Sequence, residues 1–150
     1  MLGETLKEKS LSLVAAVTDR DSAAGAASLK RGADIHYEDD FPLRCAVYLG
    51  YEDMAELLLK NGANVHVGGE ELLFMAIKAR DTALIKVLLT HGADAQAVLD
   101  NKKGKLDQES LDIISGIQSR DAKTAFEKHS AAMKEKIRKP VRIGSKPKSP

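Results

Sequence analysis

"GADIH", residues 32–36, returns as "GANVH" at 62–66 and fades to "GADAQ" at 92–96, which sets Gly32, Gly62 and Gly92 thirty residues apart. Sliding the sequence by thirty aligns further columns: Leu13, Leu43 and Leu73; Ala16, Ala46 and Ala76; Leu29, Leu59 and Leu89. Agreement in several independent columns is the mark of a repeat array, in which each unit buries its apolar stripe against its neighbours.

Each unit reads as two short helices and a connector. In "PLRCAVYLG", Leu43, Ala46 and Val47 form one helical stripe, Pro42 suits the first turn, and Gly50 ends the helix. "EDMAELLLKNG" starts another, with Met54, Leu57 and Leu58 as its stripe, acids at its start and Lys60 at its end, the order the helix dipole favours. Gly62 then supplies the left-handed residue of a helix stop, and an Asx residue follows to reverse the chain.

The stretch "FPLRCAVYLGYEDMAELLLKNGANV" resembles an ankyrin repeat through Pro42, Leu43, Ala46, Gly50, Leu57, Leu58, Gly62, Ala63 and Asn64. "LLFMAIKARDTALIKVLLTHGADA" fits the same frame, and "LSLVAAVTDRDSAAGAASLKRGADI" is a weaker first copy with an Ala- and Gly-rich second helix. The resemblance implies an all-α helix–turn–helix solenoid of three to four repeats. Two departures stand out. The period is thirty where the family's is usually about 33, the loss falling between Asp34 and Pro42, so the finger should shrink to a tight turn. In addition, Arg44 and Phe74 stand where the family has a histidine, and Phe41 and Glu71 where it has a threonine. Thirty-residue repeats of this kind are similar to those of ankyrin proteins of large DNA viruses and some bacteria.

The expected organisation is a repeat domain over 1–133, with repeats at about 10–35, 36–65 and 66–95 and a degenerate C-terminal cap at 106–133. "AQAVLDNKKGKLDQES" reads as an insertion before that cap, whose "SRD" at 119–121 echoes "DRD" at 19–21 and "ARD" at 79–81 between helices. From Lys134 to Pro150 seven basic residues meet one acid, a balance of +6, against −5 for residues 1–133. Three prolines in that segment suit an extended, flexible tail.

Little points to catalysis. Cys45 is the sole cysteine, which excludes an internal disulfide and a cysteine-based zinc site, and it reads as a small buried hydrophobe in a reducing, cytoplasmic setting (that of a host cell if the source is viral). His36, His66, Asp39 and Asp40 lack metal-ligand spacing and read as solvated connector residues. "GG" at 68–69 is an isolated turn signal, and no nucleophile elbow, phosphate loop or dinucleotide fingerprint occurs. The N-terminus does not read as a secretory signal and no stretch is long enough to span a membrane. The expectation is a non-enzyme with no metal, cofactor, small-molecule substrate or membrane contact.

The family resemblance implies partner binding on a concave face formed by connectors and first-helix ends. That face would present Thr18 and Asp19; His36, Tyr37, Glu38, Asp39, Asp40, Tyr48 and Leu49; then His66, Val67 and Lys78. Tyr37, Tyr48 and Leu49 read as its contact centre, whereas Phe41 and Tyr51 read as packing between repeats. The function expected is a protein-binding module, an adaptor or stoichiometric inhibitor. The alternative is a structural subunit of a virion or nucleoprotein assembly, anchored through Lys136, Arg138, Lys139, Arg142, Lys146 and Lys148, which would also serve any nucleic-acid contact.

Overall fold

The structure, a computed structural model, describes residues 3–117 and residue 119. The chain divides into two units, Met1–Ile114 and Ser115–Pro150, and of the second only 115–117 and 119 are described, all helical. Most of the expected cap and the whole expected tail therefore lie outside the described residues.

Helices alternate along the first unit. The inner set is α1 (Leu6–Thr18), α3 (Tyr37–Leu49), α5 (Val67–Lys78) and α7 (Ala95–Lys102); the outer set is α2 (Ser22–Lys30), α4 (Glu52–Lys60) and α6 (Thr82–Thr90). Each inner helix packs on the next, and so does each outer helix from α2 to α6. A final helix, α8, covers 108–117. There is no strand among the described residues.

The recurring Gly-Ala pair closes each outer helix in the same way. Gly32, Gly62 and Gly92 sit at φ 91°, 99° and 99°. The following alanine N–H donates back to the carbonyls of Ser28, Leu58 and Leu88 at 3.0, 3.1 and 3.0 Å. This is a Schellman stop, for which a left-handed glycine is the least strained residue. The next residue folds an Asx turn: Asp34, Asn64 and Asp94 side chains accept from the N–H of His36, His66 and Gln96. Inner helices stop likewise, at Arg20, Gly50 and Arg80 with φ 55°, 73° and 59°. The two arginines hold an unfavourable φ and turn their guanidinium groups to the following repeat, Arg20 to Asp53 at 3.2 Å and Arg80 to Glu109 at 2.9 Å.

The shortened connector is a single left-handed turn. Glu38, Asp39 and Asp40 take φ 47°, 60° and 55°, and Gly68, Gly69 and Glu70 take 66°, 64° and 66°, so right-handed helix begins at Phe41 and Glu71. The turn drives its last residue inward. Asp40 is 5% exposed and accepts the Asn64 N–H at 2.7 Å; Glu70 is 6% exposed and accepts the Asp94 N–H at 3.0 Å. In the first repeat Ser10 fills this position, its hydroxyl accepting the Asp34 N–H at 3.0 Å and donating to the Leu6 carbonyl at 2.8 Å. All three bonds span 24 residues and tie an inner helix to the loop behind its own outer helix.

The apolar core follows the expected stripes, with Leu13, Leu43, Leu73, Met54, Leu58, Leu84 and Leu88 fully buried. The small residues of α2 also find a reason. A Cβ at Gly25 would stand 3.1 Å from Met54 Cε and 3.3 Å from Leu57 Cδ2, so glycine admits α4 closely. Helix α1 starts four residues earlier than the repeat frame suggests, on a capping box in which Thr5 and Glu8 exchange hydrogen bonds.

The fourth repeat corrects the reading of 95–110. Ala95–Lys102 is helix α7 rather than an insertion, because Asp94 accepts from the N–H of Gln96 and Ala97 and starts it directly. Outer helices begin after Asp21, Tyr51 and Asp81, and α8 begins after Asp107, whose carboxylate accepts the Ser110 N–H at 2.9 Å. Burial agrees: Met54 and Leu58, Leu84 and Leu88, Ser110 and Ile114 stand three and seven residues after those caps. From Asp81 to Asp107 is 26 residues, since this copy lacks the left-handed turn. The "SRD" at 119–121 comes after α8, and all of it but residue 119 lies outside the described residues.

Candidate functional site

Helix α3 carries two stripes. Leu43, Ala46 and Val47 face the core, while Phe41, Arg44, Cys45, Tyr48 and Leu49 face away. The second stripe, with Thr18 from α1 and Met75 from α5, lines an open groove of about 400 Å³. Tyr48 is 78% exposed, Leu49 41% and Phe41 37%, three of the five large apolar side chains exposed in the described unit. Stacking of the repeats leaves these side chains uncovered, although apolar groups of this size would be stabilised by about 1.5–3 kcal/mol each on burial.

The same columns differ in the flanking repeats. Thr18, Tyr48 and Lys78 share one column; Asp19, Leu49 and Ala79 share the next; Ala15, Cys45 and Met75 share a third. Apolar and aromatic character peaks in the second repeat. The Thr18 hydroxyl donates to the Ala15 carbonyl at 2.9 Å, and Asp19 is the exposed C-cap of α1. Lys78 is exposed, its ammonium donating to the Lys105 carbonyl at 3.4 Å.

Next to the groove lies the left-handed turn of α3. Glu38 and Asp39 are exposed and Tyr37 half-buried. The Glu38 carboxylate pushes the Tyr37 phenol above its ordinary pKa. A second cleft of about 210 Å³ shares Arg44 and Met75 with the groove and runs on to Asp39, Glu71 and the bare backbone of Gly68. Glu71 is held by Lys102, whose ammonium also lies 4.8 Å over the Phe74 ring. Asp39 and Glu38 form no ion pair among the described residues.

Two expected contact residues face inward. Asp40 and Val67 are each 5% exposed: the left-handed turn brings the Asp40 carboxylate onto Asn64, and Val67 is enclosed where its own turn begins. They are parts of the scaffold. His36 and His66 keep an exposed edge, but their Nδ1 atoms face the buried carboxylates, His36 to Asp40 at 3.1 Å and His66 to Glu70 in a closer contact. They are anchored rather than freely solvated. Lys136, Arg138, Lys139, Arg142, Lys146 and Lys148 lie outside the described residues.

Phe41 was expected between repeats and instead rims the groove, whereas Tyr51 does stack between repeats, with Arg20 5.1 Å over its ring. Cys45 is half-buried and lines the groove instead of the core, and burial pushes its thiol above the ordinary range against the pull of Arg44. A raised thiol is a poor nucleophile near neutrality. The sequence carried the signal for this face: 41, 44, 45 and 48 are one helical stripe. Among the described residues no three His, Cys, Asp or Glu side chains are grouped to hold a metal, and no helix is long and apolar enough to cross a membrane.

Residues 13–99, more than half of the chain, match the family model described as ankyrin repeats (3 copies). No curated protein matches the chain.

Proposed function

We propose, since the chain belongs to the ankyrin-repeat family, that it holds a partner protein on the face of α1, α3 and α5 that carries Tyr48. The family is one of non-enzymatic interaction scaffolds. The observation that carries the reading is the groove around Tyr48, Leu49 and Phe41, whose exposure serves no packing need of the repeats. Tyrosine beside aliphatic side chains, rimmed by polar groups, is the composition of a binding hot spot. Thr18, Asp19, Tyr37, Glu38, Asp39 and Lys78 supply the polar rim, with the outer edges of His36 and His66 beside them. The stack is preformed, so little ordering accompanies binding, which suits an adaptor or a stoichiometric inhibitor in a reducing, cytoplasmic setting.

Affinity capture with the intact chain, repeated with Tyr37, Tyr48 and Leu49 all changed to alanine, tests this. The expected result is a loss of about a hundredfold in affinity for the captured partner, with the melting temperature preserved. Partners that survive the triple change and vanish on deletion of residues 134–150 would instead support a structural subunit anchored by its basic segment.

A further inference from the structure

The groove and the cleft beside it form one path with two chemistries. At one end Phe41, Tyr48 and Leu49 offer an apolar seat. At the other Asp39 stands unpaired among the described residues, with Glu38 next to it. Gly68 lines the same cleft and has no side chain to narrow it. Arg44 marks the join between the two and is exposed, with no ion pair among the described residues.

We infer that this path takes a single segment of the partner protein in which an apolar residue is followed by a lysine or arginine. The inference rests on the reading of this face as the binding site and adds the chemistry of the occupant. The apolar side chain seats against Tyr48 and Leu49, and the cation reaches the Asp39 carboxylate with Glu38 behind it. Arg44, between them, donates to a main-chain carbonyl of the segment. Phe41 to Tyr48 is two helical turns, about 10 Å along α3, which an extended chain crosses in about three residues. Asp39 precedes Phe41 by two residues, a span that a lysine or arginine side chain itself covers, so the cation stands about three residues from an anchor seated at Tyr48. An acidic residue there would meet two carboxylates, and rim charges of this kind discriminate between partners more than they add raw affinity.

The test is selection from a random dodecapeptide display library on the intact chain, in parallel with two variants. One carries Tyr48→Ala and Leu49→Ala; the other carries Glu38→Gln and Asp39→Asn, exposed changes whose folding is checked by thermal melting. Pools from the native chain are expected to show an apolar anchor with Lys or Arg about three residues away, at least fivefold over Asp or Glu. Changing that cation to Glu in a selected peptide should weaken binding about tenfold. Pools from the Glu38→Gln, Asp39→Asn variant should keep the anchor and lose the charge preference. Absence of a preference on the native chain, or its persistence in that variant, overturns the inference while leaving the groove reading intact. Peptides that bind the Tyr48→Ala, Leu49→Ala variant as well as the native chain overturn the groove reading itself.

Discussion

The turns at 37–40 and 67–70 have the same backbone and opposite side-chain economy. Each winds three left-handed residues and delivers a carboxylate, Asp40 or Glu70, to a partly buried backbone N–H in the next loop. The later turn uses Gly68 and Gly69, for which this conformation is unstrained. The earlier one uses Glu38 and Asp39, at roughly 1–2 kcal/mol of strain per residue. These two repeats thus keep the turn and its terminal carboxylate, but not the two acids before it. Those acids lie beside the apolar groove, on the repeat where aromatic side chains are exposed.

Removing what the turns share should have the largest effect. Asp40→Ala and Glu70→Ala each leave a backbone N–H without its acceptor, and each should destabilise the fold by about 2–3 kcal/mol in urea unfolding. Next come the differences between the turns. Gly68→Ala combines φ +66° with a Cβ only 2.9 Å from Glu71 Cβ, whereas at Gly69 the φ is +64° but the space is open. Gly68→Ala should therefore cost about 2 kcal/mol and Gly69→Ala about 1 kcal/mol. The reverse exchange, Glu38→Gly with Asp39→Gly, should raise stability by about 1 kcal/mol while weakening a partner held through those acids. A stabilised variant that binds as well as the native chain would show that the strained acids contribute nothing to recognition.

The smallest effect lies at Asp107, which caps α8 in the fourth repeat, a copy without the turn. Hydrogen bonds from Ser110, then the Arg80 guanidinium, hold its carboxyl at about 2, below the ordinary 3.8. A carboxyl depressed by folding stabilises the native state above its unfolded value and loses that contribution as pH falls. Stability of the native chain should decline slightly between pH 4 and 2, and Asp107→Asn should flatten that decline when unfolding is followed by circular dichroism.

Much of this was legible in the sequence because glycine and Asx residues have few other roles at thirty-residue spacing. Gly32, Gly62 and Gly92 mark helix stops, and Leu13, Leu43 and Leu73 mark the core. Asp40 was misread because an acid in "YEDD" looks solvated by composition, and only a left-handed turn carries it inward. The column Ser10, Asp40 and Glu70, polar residues at one phase ahead of each apolar stripe, was the available signal. Helix α7 was missed, and the helix expected from Leu111 was taken as the first of a pair, because losing the turn shortens that copy and a slide by thirty no longer aligns it. Phe41 was assigned inward by analogy with family positions and Cys45 by its place next to Ala46, while their spacing with Tyr48 marked the opposite stripe.

Cys45, the sole cysteine of the chain, lies in the groove and reports on its occupancy. The rate at which a maleimide modifies it, followed by mass spectrometry of the peptide containing Cys45, can be measured at pH 8.5 with and without a captured partner. A saturating partner should slow the reaction at least tenfold, and the slowing should disappear in the Tyr37→Ala, Tyr48→Ala, Leu49→Ala variant. An unchanged rate with the partner bound would place recognition elsewhere and contradict the account.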